Sequence, residues 1–563
     1  MLPTALLLIG SGATHVGPAI KIERNISSLR ELYELQAGSG QHVRLAPGTY
    51  QINLRTVSDF GGAWPSTKCT DADCTNTKCA ALFNFSGSNN VWDLQGVVVE
   101  FDSAVFSQYR CLAGPHGLGS LFGGNNNVWR GLRWQEVAPL DGSLNYPGFF
   151  PGSGTTFLVQ GIGHVLDGWH VSLRGSGTYG FGALYGKGKH NKMPGVTKSK
   201  RALLGVVGAS NLIISNSVLD NSAFGHLVHF HDRGSDDGSL PHTQNISVVN
   251  CTVSGEVRTT DDLLRHGVGG TDRHGVPFRV QYNGTLYAGG PSGAVYNASG
   301  QAAFGPVFKR SLDRTDHCVG PIAAGKAFSL TEDGLRFYSN VGSATFTNVT
   351  AIGTRCGICL MGGIGGAVVD SLTVRSVAPH GFSACAVGAS GGEMQTELGE
   401  SFQPPSNSRL TRSAGDATYV PLLTIAPDTS HDLPVNISAD IQLLAPDYAG
   451  GHDYARTFDS LAIIEGSSHH IRLWDRSPDA GNSALAAGLR IYVGLPVGDA
   501  AHRGVSNVTL CNLLPVPVLL DNRSSHIRVW SVGRVIDMGQ ENAVVQLDKG
   551  LKPPAVCGPL APA

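Results

Sequence analysis

The sequence predicts an all-β protein, a solenoid in which short strands stack in successive coils. The composition indicates a turn-rich β protein, with 74 glycines and only 15% charged residues among 563. Short β-branched segments that begin at asparagine recur along the chain, and no helical crossover pattern separates them. A solenoid grows by repetition, so this length is compatible with a single domain.

The first 19 residues are predicted to be a secretory signal peptide, because a short apolar run is followed by small residues, although no basic segment precedes it. No other run of about twenty apolar residues is present, so no membrane span is expected. Sequons for N-glycosylation support a secreted, extracellular protein. They lie at Asn25, Asn84, Asn245, Asn283, Asn297, Asn348, Asn436, Asn507 and Asn522.

The cysteines point to the same compartment. Cys69, Cys74 and Cys79 crowd a polar loop with Cys111 downstream, and in an oxidising compartment this spacing favours local disulfides. A zinc site is the rival interpretation, but histidines are absent nearby. No metal ligand set is predicted.

The first elements after the leader are a helix and a strand. Ser28 and Glu31 have capping-box spacing and open the amphipathic stretch LRELYELQ. The segment HVRLAPGTYQI then predicts a strand with a Pro-Gly turn. A helix before the first strand would cover the otherwise open end of a solenoid.

The coil units follow. Their starts at Asn90, Asn127, His164, Asn211 and Asn245 are separated by 37, 37, 47 and 34 residues. Such uneven steps are typical of coils that carry loops of different length. Long insertions are predicted near 185–201, 259–331 and 389–415, and long loops in such folds are often binding walls or lids.

The chain combines short strands, turns that begin with asparagine, an N-terminal cap and the LAPGTY segment. In this combination it resembles the right-handed parallel β-helices of the pectate-lyase-like superfamily. The resemblance spans residues 25–550, which would form one domain, with 551–563 as a tail. A β-sandwich or propeller is the structural rival. The resemblance implies proteins that act on polysaccharides, and it points to no specific member family.

Two neighbouring segments, HLVHFH and GEVR, suggest a functional patch. In a strand, burying Val228 and Phe230 turns His229 and His231 outward. By the same rule, burying Val257 turns Glu256 and Arg258 outward. The steps from 229 to 256 and from 231 to 258 are both 27 residues, so we expect the two pairs to stack on adjacent coils.

The segment DGLRFYSN adds Arg336 and Tyr338 to this patch if Leu335 and Phe337 are buried. These side chains suit β-elimination of a uronate, which requires neutralising a carboxylate, a base and an acid for the leaving oxygen. Arg258 and Arg336 would hold the carboxylate, and His229 or His231 would be the base. Tyr338 would protonate the leaving oxygen, and Glu256 would orient an imidazole or an arginine.

Further residues are candidates for binding the polymer. They lie in the two insertions that flank the patch: Lys187, Lys189, Lys192, Asp261, Asp262 and Arg265. The overall charge of −2 gives no argument for nucleic acid, so an acidic polysaccharide is the expected partner. No cofactor is firmly implied, and Ca²⁺ stays open, although the aspartate clusters of extracellular pectate lyases have no counterpart in sequential coils here.

Two alternatives to a lyase remain. A glycoside hydrolase would use a carboxylate pair such as Asp261, Asp262 or Glu256, since inverting carboxylates lie about 6.5–9.5 Å apart, or one to two coil spacings. A non-catalytic glycan-binding protein of the cell wall would hold the polymer without cutting it. The lyase is preferred because one patch holds the base, the acid and the cations.

Overall fold

In a computed structural model of the protein, parallel strands from successive coils stack into three faces that enclose one shared core. The right-handed parallel β-helix predicted above is confirmed. The structure describes residues 22–53, 55–56, 82–102, 118–137, 154–173, 201–221, 226–232, 240–255, 257–259, 279–282, 285–289, 295–296, 302–303, 321–322, 327–329, 333–338, 341–354, 356–361, 367–376, 423–426, 436–443, 460–474, 490–494, 505–548 and 553–558.

We number the faces in the order in which the chain first meets them. Face 1 consists of Ile22–Ile26, Gln41–Leu45, Val91–Asp93, Val128–Arg130, Val165–Asp167, the second half of Arg201–Ser215, Gln244–Val249, Ala344–Thr347, the first part of Ala367–Ser376, Ser438–Leu443, His470–Trp474, Thr509–Asn512, Arg528–Ser531 and Ala543–Gln546. Face 2 consists of Gly48–Ile52, Val97–Asp102, Arg133–Val137, His170–Leu173, Val218–Asn221, Thr252–Gly255, Thr350–Thr354 and the remainder of Ala367–Ser376.

Face 3 carries the candidate site. It consists of Phe83–Phe85, Leu118–Phe122, Gly154–Ile162, the first half of Arg201–Ser215, Val228–His231, Asp333–Tyr338, Cys356–Met361, Leu423–Ala426, Ser460–Ile464, Arg490–Val493, Val518–Leu520 and Val535–Asp537.

Smaller sheets lie outside these faces. Val505–Ser506 pairs with Ser524–Ser525 in parallel, and Val257–Thr259 pairs with Ala327–Ser329 in antiparallel. A five-stranded sheet falls within the second insertion and contains Arg279–Tyr282, Thr285–Gly289, Val295–Tyr296, Ala302–Ala303 and Pro321–Ile322.

The N-terminal helix spans Leu29–Leu35 and closes the first coil. Its capping box forms as predicted, since the Ser28 hydroxyl accepts the Glu31 amide at 3.2 Å and donates to the Glu31 carboxylate at 2.9 Å. Leu29 and Leu32 are buried and belong to the same apolar core as the strands. The helix therefore covers apolar side chains that the first coil would otherwise expose to water.

Strand alternation builds the interior. Along Val97–Asp102, for example, buried and half-buried residues alternate without interruption. Equivalent inward positions of successive coils hold similar side chains, and the rings of Phe85 and Phe122 stack with centroids 5.3 Å apart. Each coil alone could not bury its inward face, so the core exists only because the coils stack.

The Asn-led turns have a backbone explanation. Asn89, Asn126, Asn211 and Asn245 have φ between 53° and 59°, in the left-handed region that asparagine tolerates better than other side chains do. The amides also connect coils, because Asn245 Nδ2 donates to Asn211 Oδ1 at 2.6 Å and Asn126 Nδ2 donates to Asn89 Oδ1 at 3.2 Å. The turns are thus held both by conformation and by side-chain hydrogen bonds between coils.

A second, buried ladder runs inside these turns. The side-chain oxygen of Asn90 accepts the Gln41 amide, and that of Asn127 accepts the Asn90 amide, both at 2.9 Å. On the next coil His164 takes the same place, since its Nδ1 accepts the Asn127 amide at 3.3 Å and its Nε2 donates to the Gln160 carbonyl at 2.7 Å. Burial lowers the pKa of His164 to about 4, so the ring is neutral, as this acceptor role requires.

The last described segment is attached to face 1 by a disulfide. Cys511, in the strand Thr509–Asn512, is bonded to Cys557 in the 3₁₀ helix Ala555–Cys557. Cys69, Cys74, Cys79 and Cys111 lie outside the described residues, so their predicted disulfides stay predictions. Within the described part of the chain, none of the helices has the length and apolar character needed to cross a bilayer.

The His164 ladder gives a first prediction. His164→Ala leaves the buried Asn127 amide without its acceptor and should lower the free energy of unfolding by about 1–3 kcal/mol, measured by chemical denaturation at pH 7.5. His164→Asn restores the residue type of the two preceding coils and should cost clearly less. Equal losses in the two variants would contradict the ladder.

The same ring predicts a pH effect with a definite sign. The folded state keeps His164 neutral down to about pH 4, whereas the unfolded chain takes up a proton below 6.5. The stability that this ring contributes is therefore complete above pH 6.5 and lost as the pH falls toward 4. His164→Asn should remove that part of the acid sensitivity.

A buried carboxyl group lies beside the C-terminal strands of face 3. Glu465 follows the strand Ser460–Ile464, and Asp521 follows Val518–Leu520 two coils further along. Between them is Gly494, where a Cβ atom would lie only 2.7 Å from the Asp521 carboxyl carbon. Burial, and secondly the charge of Asp521, raise the pKa of Glu465 to about 8.

This carboxyl group predicts the opposite pH dependence. The folded state holds a proton on Glu465 that the unfolded chain releases near pH 4.5, so the contribution to stability is greatest below pH 4.5 and declines as the pH rises to about 8. Glu465→Gln should flatten the stability profile over this range, measured by denaturation at successive pH values. The exposed Glu541→Gln is the matched control, and an unchanged slope in Glu465→Gln would refute the assignment.

Candidate functional site

The strand Val228–His231 presents imidazoles on its outer side. Val228 and Phe230 are fully buried in the core, and His229 and His231 are half-buried on the opposite side. This alternation is the one predicted from the sequence. Two histidines therefore share the outer surface of face 3, separated by one residue along the strand.

The next strand of face 3 is Asp333–Tyr338, and its register places Arg336 beside His229 and Tyr338 beside His231. The core fixes this register, because Phe230 and Phe337 stack with ring centroids 4.4 Å apart and Leu335 is buried beside Val228. The predicted inward positions of Leu335 and Phe337 are thus confirmed. Residues 107 positions apart in the chain, 229 and 336, become direct neighbours.

The predicted stacking of residue 231 on residue 258 is wrong, and residue 256 lies outside the described residues. Val257–Thr259 does not enter face 3 and pairs instead with Ala327–Ser329 in a separate antiparallel sheet. The physical reason is that one coil needs three strands. The unit that begins near Asn245 supplies faces 1 and 2, and face 3 of that coil is formed only after the second insertion.

Arg336 is more deeply buried than the sequence suggested. Its inward neighbours are Leu335 and Phe337, yet the arginine is only 1% exposed, so the expectation of an exposed guanidinium is wrong. Its Nη1 lies 3.0 Å from Nε2 of the buried His226. A guanidinium only donates, so His226 Nε2 must accept, and His226 is a neutral ring. Arg336 therefore acts on its neighbouring imidazole and is not open to a substrate carboxylate.

Three imidazoles line this part of face 3. The ring centroid of His229 is 5.1 Å from that of His226 and 5.7 Å from that of His231. On the preceding coil the residue in register with His229 is Gly205, which adds no side chain to the row. The rings thus form a continuous histidine row, His226, His229 and His231, backed by the buried cation of Arg336.

Sequence reasoning missed an aspartate and a histidine at the end of this row. Asp232 directly follows His231, and its Oδ2 lies 2.9 Å from Nδ1 of His242. The carboxylate is 7% exposed, whereas the imidazole is 76% exposed. No sequence signal marks this pair, because the ten-residue separation matches neither strand nor helix periodicity.

The remaining predicted site residues are not placed. Glu256, Lys187, Lys189, Lys192, Asp261, Asp262 and Arg265 lie outside the described residues. Of Arg258 and Tyr338 the structure describes only the backbone. In the described part of the chain, His, Cys, Asp and Glu form no cluster of three that could hold a metal ion. The roles of these predicted site residues, and any Ca²⁺ site, stay predictions.

Comparisons with known proteins found structural likeness at very low sequence identity. One match is PfbA, a surface adhesin of Streptococcus pneumoniae, at 8% identity, covering 94% of this chain and 89% of that one, with a TM-score of 0.29. Another is a mutant tailspike of E. coli bacteriophage HK620 in complex with a hexasaccharide, at 10% identity, 92% and 70% coverage and a TM-score of 0.32.

A third match is an alginate lyase from Paenibacillus, at 10% identity, 93% and 98% coverage and a TM-score of 0.22. No protein-family model and no curated protein matches the chain. At these identities and scores, the activities of those proteins are theirs and do not carry over to this chain.

The burial of Arg336 predicts that its removal lowers the stability of the protein, as the removal of an exposed arginine would not. Arg336→Ala removes a buried side chain and the donor to His226, and it should lower the free energy of unfolding by about 2–5 kcal/mol in urea denaturation. The exposed Arg528→Ala is the control and should change it by no more than about 0.5 kcal/mol. Similar values for both would show that Arg336 is not packed as described.

Proposed function

We propose that this protein is a secreted polysaccharide lyase that cleaves an acidic, uronate-containing polysaccharide by β-elimination. The observation that supports this proposal is the histidine row of face 3, in register with Arg336 and Tyr338. Half-buried imidazoles at the surface of a solenoid offer both access for a long polymer and groups able to accept a proton.

The reaction sets three requirements. The carboxylate of the uronate must be neutralised, its α-proton must be removed, and the departing oxygen must be protonated. Arg336 supplies a fixed positive charge behind the row, and the imidazoles of His229 and His231 face the polymer, where they remove the proton or hold sugar hydroxyls. Tyr338, in register with His231, is the proposed donor to the leaving oxygen.

The burial of Arg336 changes the proposed substrate contacts. Because its guanidinium is only 1% exposed, direct binding of the uronate carboxylate falls to other cations. The basic stretch with Lys187, Lys189 and Lys192 is our proposal for this binding surface. Asp261, Asp262 and Arg265 remain proposed contacts in the second insertion, and Glu256 and Arg258 remain proposed contacts directly before it.

A substrate panel tests the reaction class. The protein is incubated with uronate-containing and neutral polysaccharides, and the ultraviolet absorbance of the unsaturated uronate is followed. We expect absorbance to rise only with a uronate polymer. Reducing ends without that absorbance would identify a hydrolase, and binding without product would identify a glycan-binding protein; either result would reject the lyase.

Variants test the site. His229→Ala and His231→Ala should each lower kcat/KM by about 10²-fold or more, because each removes a group that contacts the polymer or its proton. His170→Ala is the matched control, an exposed histidine on face 2 that should leave the rate unchanged. Normal rates in both face 3 variants would remove the histidine row from the proposed active site.

A further inference from the structure

We propose that His242, rather than His229 or His231, is the catalytic base of this site and that Asp232 is its positioning residue; the assignment rests on the lyase function proposed above. His242 was not among the residues that the sequence suggested. It is identified by the geometry of its carboxylate partner and by its attachment to the end of the histidine row.

The hydrogen bond to Asp232 fixes which nitrogen of His242 is available. An ionised carboxylate only accepts, so Nδ1 of His242 carries the proton that lies between the two groups at 2.9 Å. The lone pair of the neutral ring is therefore on Nε2. Since the imidazole is 76% exposed, a polymer on the surface can reach it.

The carboxylate of Asp232 is held rigidly. Its second oxygen, Oδ1, accepts the amide of Thr243 at 3.1 Å. The Thr243 hydroxyl donates to the carbonyl of His231 at 2.9 Å and accepts the amide of Gly208 at 2.9 Å. Thr243 is fully buried, so the pair is anchored to two coils of the solenoid and stays next to His231.

The three histidines of the row are less suited to this role than His242. The Nε2 lone pair of His226 is occupied by Arg336, and His226 is only 3% exposed. His229 and His231 are half-buried and lie in ring contact with each other. Each can contact a sugar, but both rings are more buried than that of His242, which is 76% exposed.

Comparison with the other histidine–carboxylate pairs sharpens the distinction. In the described part of the chain, His526 pairs with Glu541 at 2.8 Å, and His42 pairs with Glu23 at 3.0 Å. Glu541 and Glu23 are 72% and 70% exposed, as expected of mobile surface pairs. Of these three pairs, only Asp232 and His242 combine a carboxylate that is 7% exposed with an imidazole that is 76% exposed.

Proton removal by His242 accounts for every bond that forms and breaks in the proposed elimination. Nε2 of His242 takes the proton from the carbon that bears the uronate carboxyl group, and the electrons of that C–H bond form the new C=C double bond. The adjacent C–O bond breaks, its electron pair stays on the leaving oxygen, and that oxygen takes a proton from Tyr338 or from water. The imidazolium then returns its proton to solvent, and its charge is stabilised by Asp232.

The test compares His242→Ala, Asp232→Asn and His526→Ala in the full chain, with the unsaturated uronate absorbance as the readout. His242→Ala should lower kcat by about 10²–10⁴-fold, the usual contribution of general base catalysis, with little change in melting temperature because the ring is exposed. Added imidazole should restore part of the rate, which a purely structural role would not allow. His526→Ala should keep the normal rate.

The positioning role of Asp232 has its own readout. Asp232→Asn keeps the shape of the side chain but removes the carboxylate that fixes the Nδ1 proton of His242, so it should lower kcat with little change in KM, and Asp232→Glu should restore part of kcat. If the wild-type protein yields no unsaturated product, the lyase function fails and this assignment fails with it. If the wild type is active and His242→Ala keeps its rate, or imidazole gives no rescue, only the assignment to His242 is overturned.

Discussion

The in-register hydrogen bonding of parallel coils is the constraint on which the whole protein depends. It brings residues 229 and 336 together across more than a hundred positions of sequence and stacks Phe230 on Phe337 in the interior. The same register aligns the asparagine side chains of the outer turns, and those of the buried ladder, so that they form hydrogen bonds between successive coils. A shift by one residue would exchange the two sides of a strand, so the aromatic core and the histidine row hold each other in place.

Polar groups inside the solenoid follow the same constraint. The inner turn positions must accept a backbone amide of the preceding coil, and asparagine and neutral histidine both do so. His469 repeats the arrangement near the C-terminal end, where its Nδ1 accepts the Ile437 amide at 3.1 Å and its Nε2 donates to the Glu465 carbonyl at 2.8 Å. Burial lowers the pKa of His469 to about 4, as it does for His164. Histidine in this fold is thus a structural residue inside the turns and a candidate chemical residue on and beside face 3.

Much of the fold could be predicted because its rules are local. The two-residue period identified the outward sides of His229 and His231, and capping-box spacing identified the first helix. The partner of His229 could not be predicted in the same way. Counting 27 residues treated one unit as one coil, but a coil has three strands and an insertion of unknown length separates its second strand from its third. The burial of Arg336, the Asp232 and His242 pair and the Cys511–Cys557 bond all depend on contacts that no short window of sequence contains.

The Cys511–Cys557 bond affects how the solenoid comes apart. It closes a loop with a sequence separation of 46 that encloses the final strands of face 1, Arg528–Ser531 and Ala543–Gln546. Coils at the end of a linear stack are the first to fray, since they have a neighbour on one side only. With the bond intact, these strands can separate from the stack only as a tethered loop of reduced chain entropy, and reduction of the bond would remove that restraint.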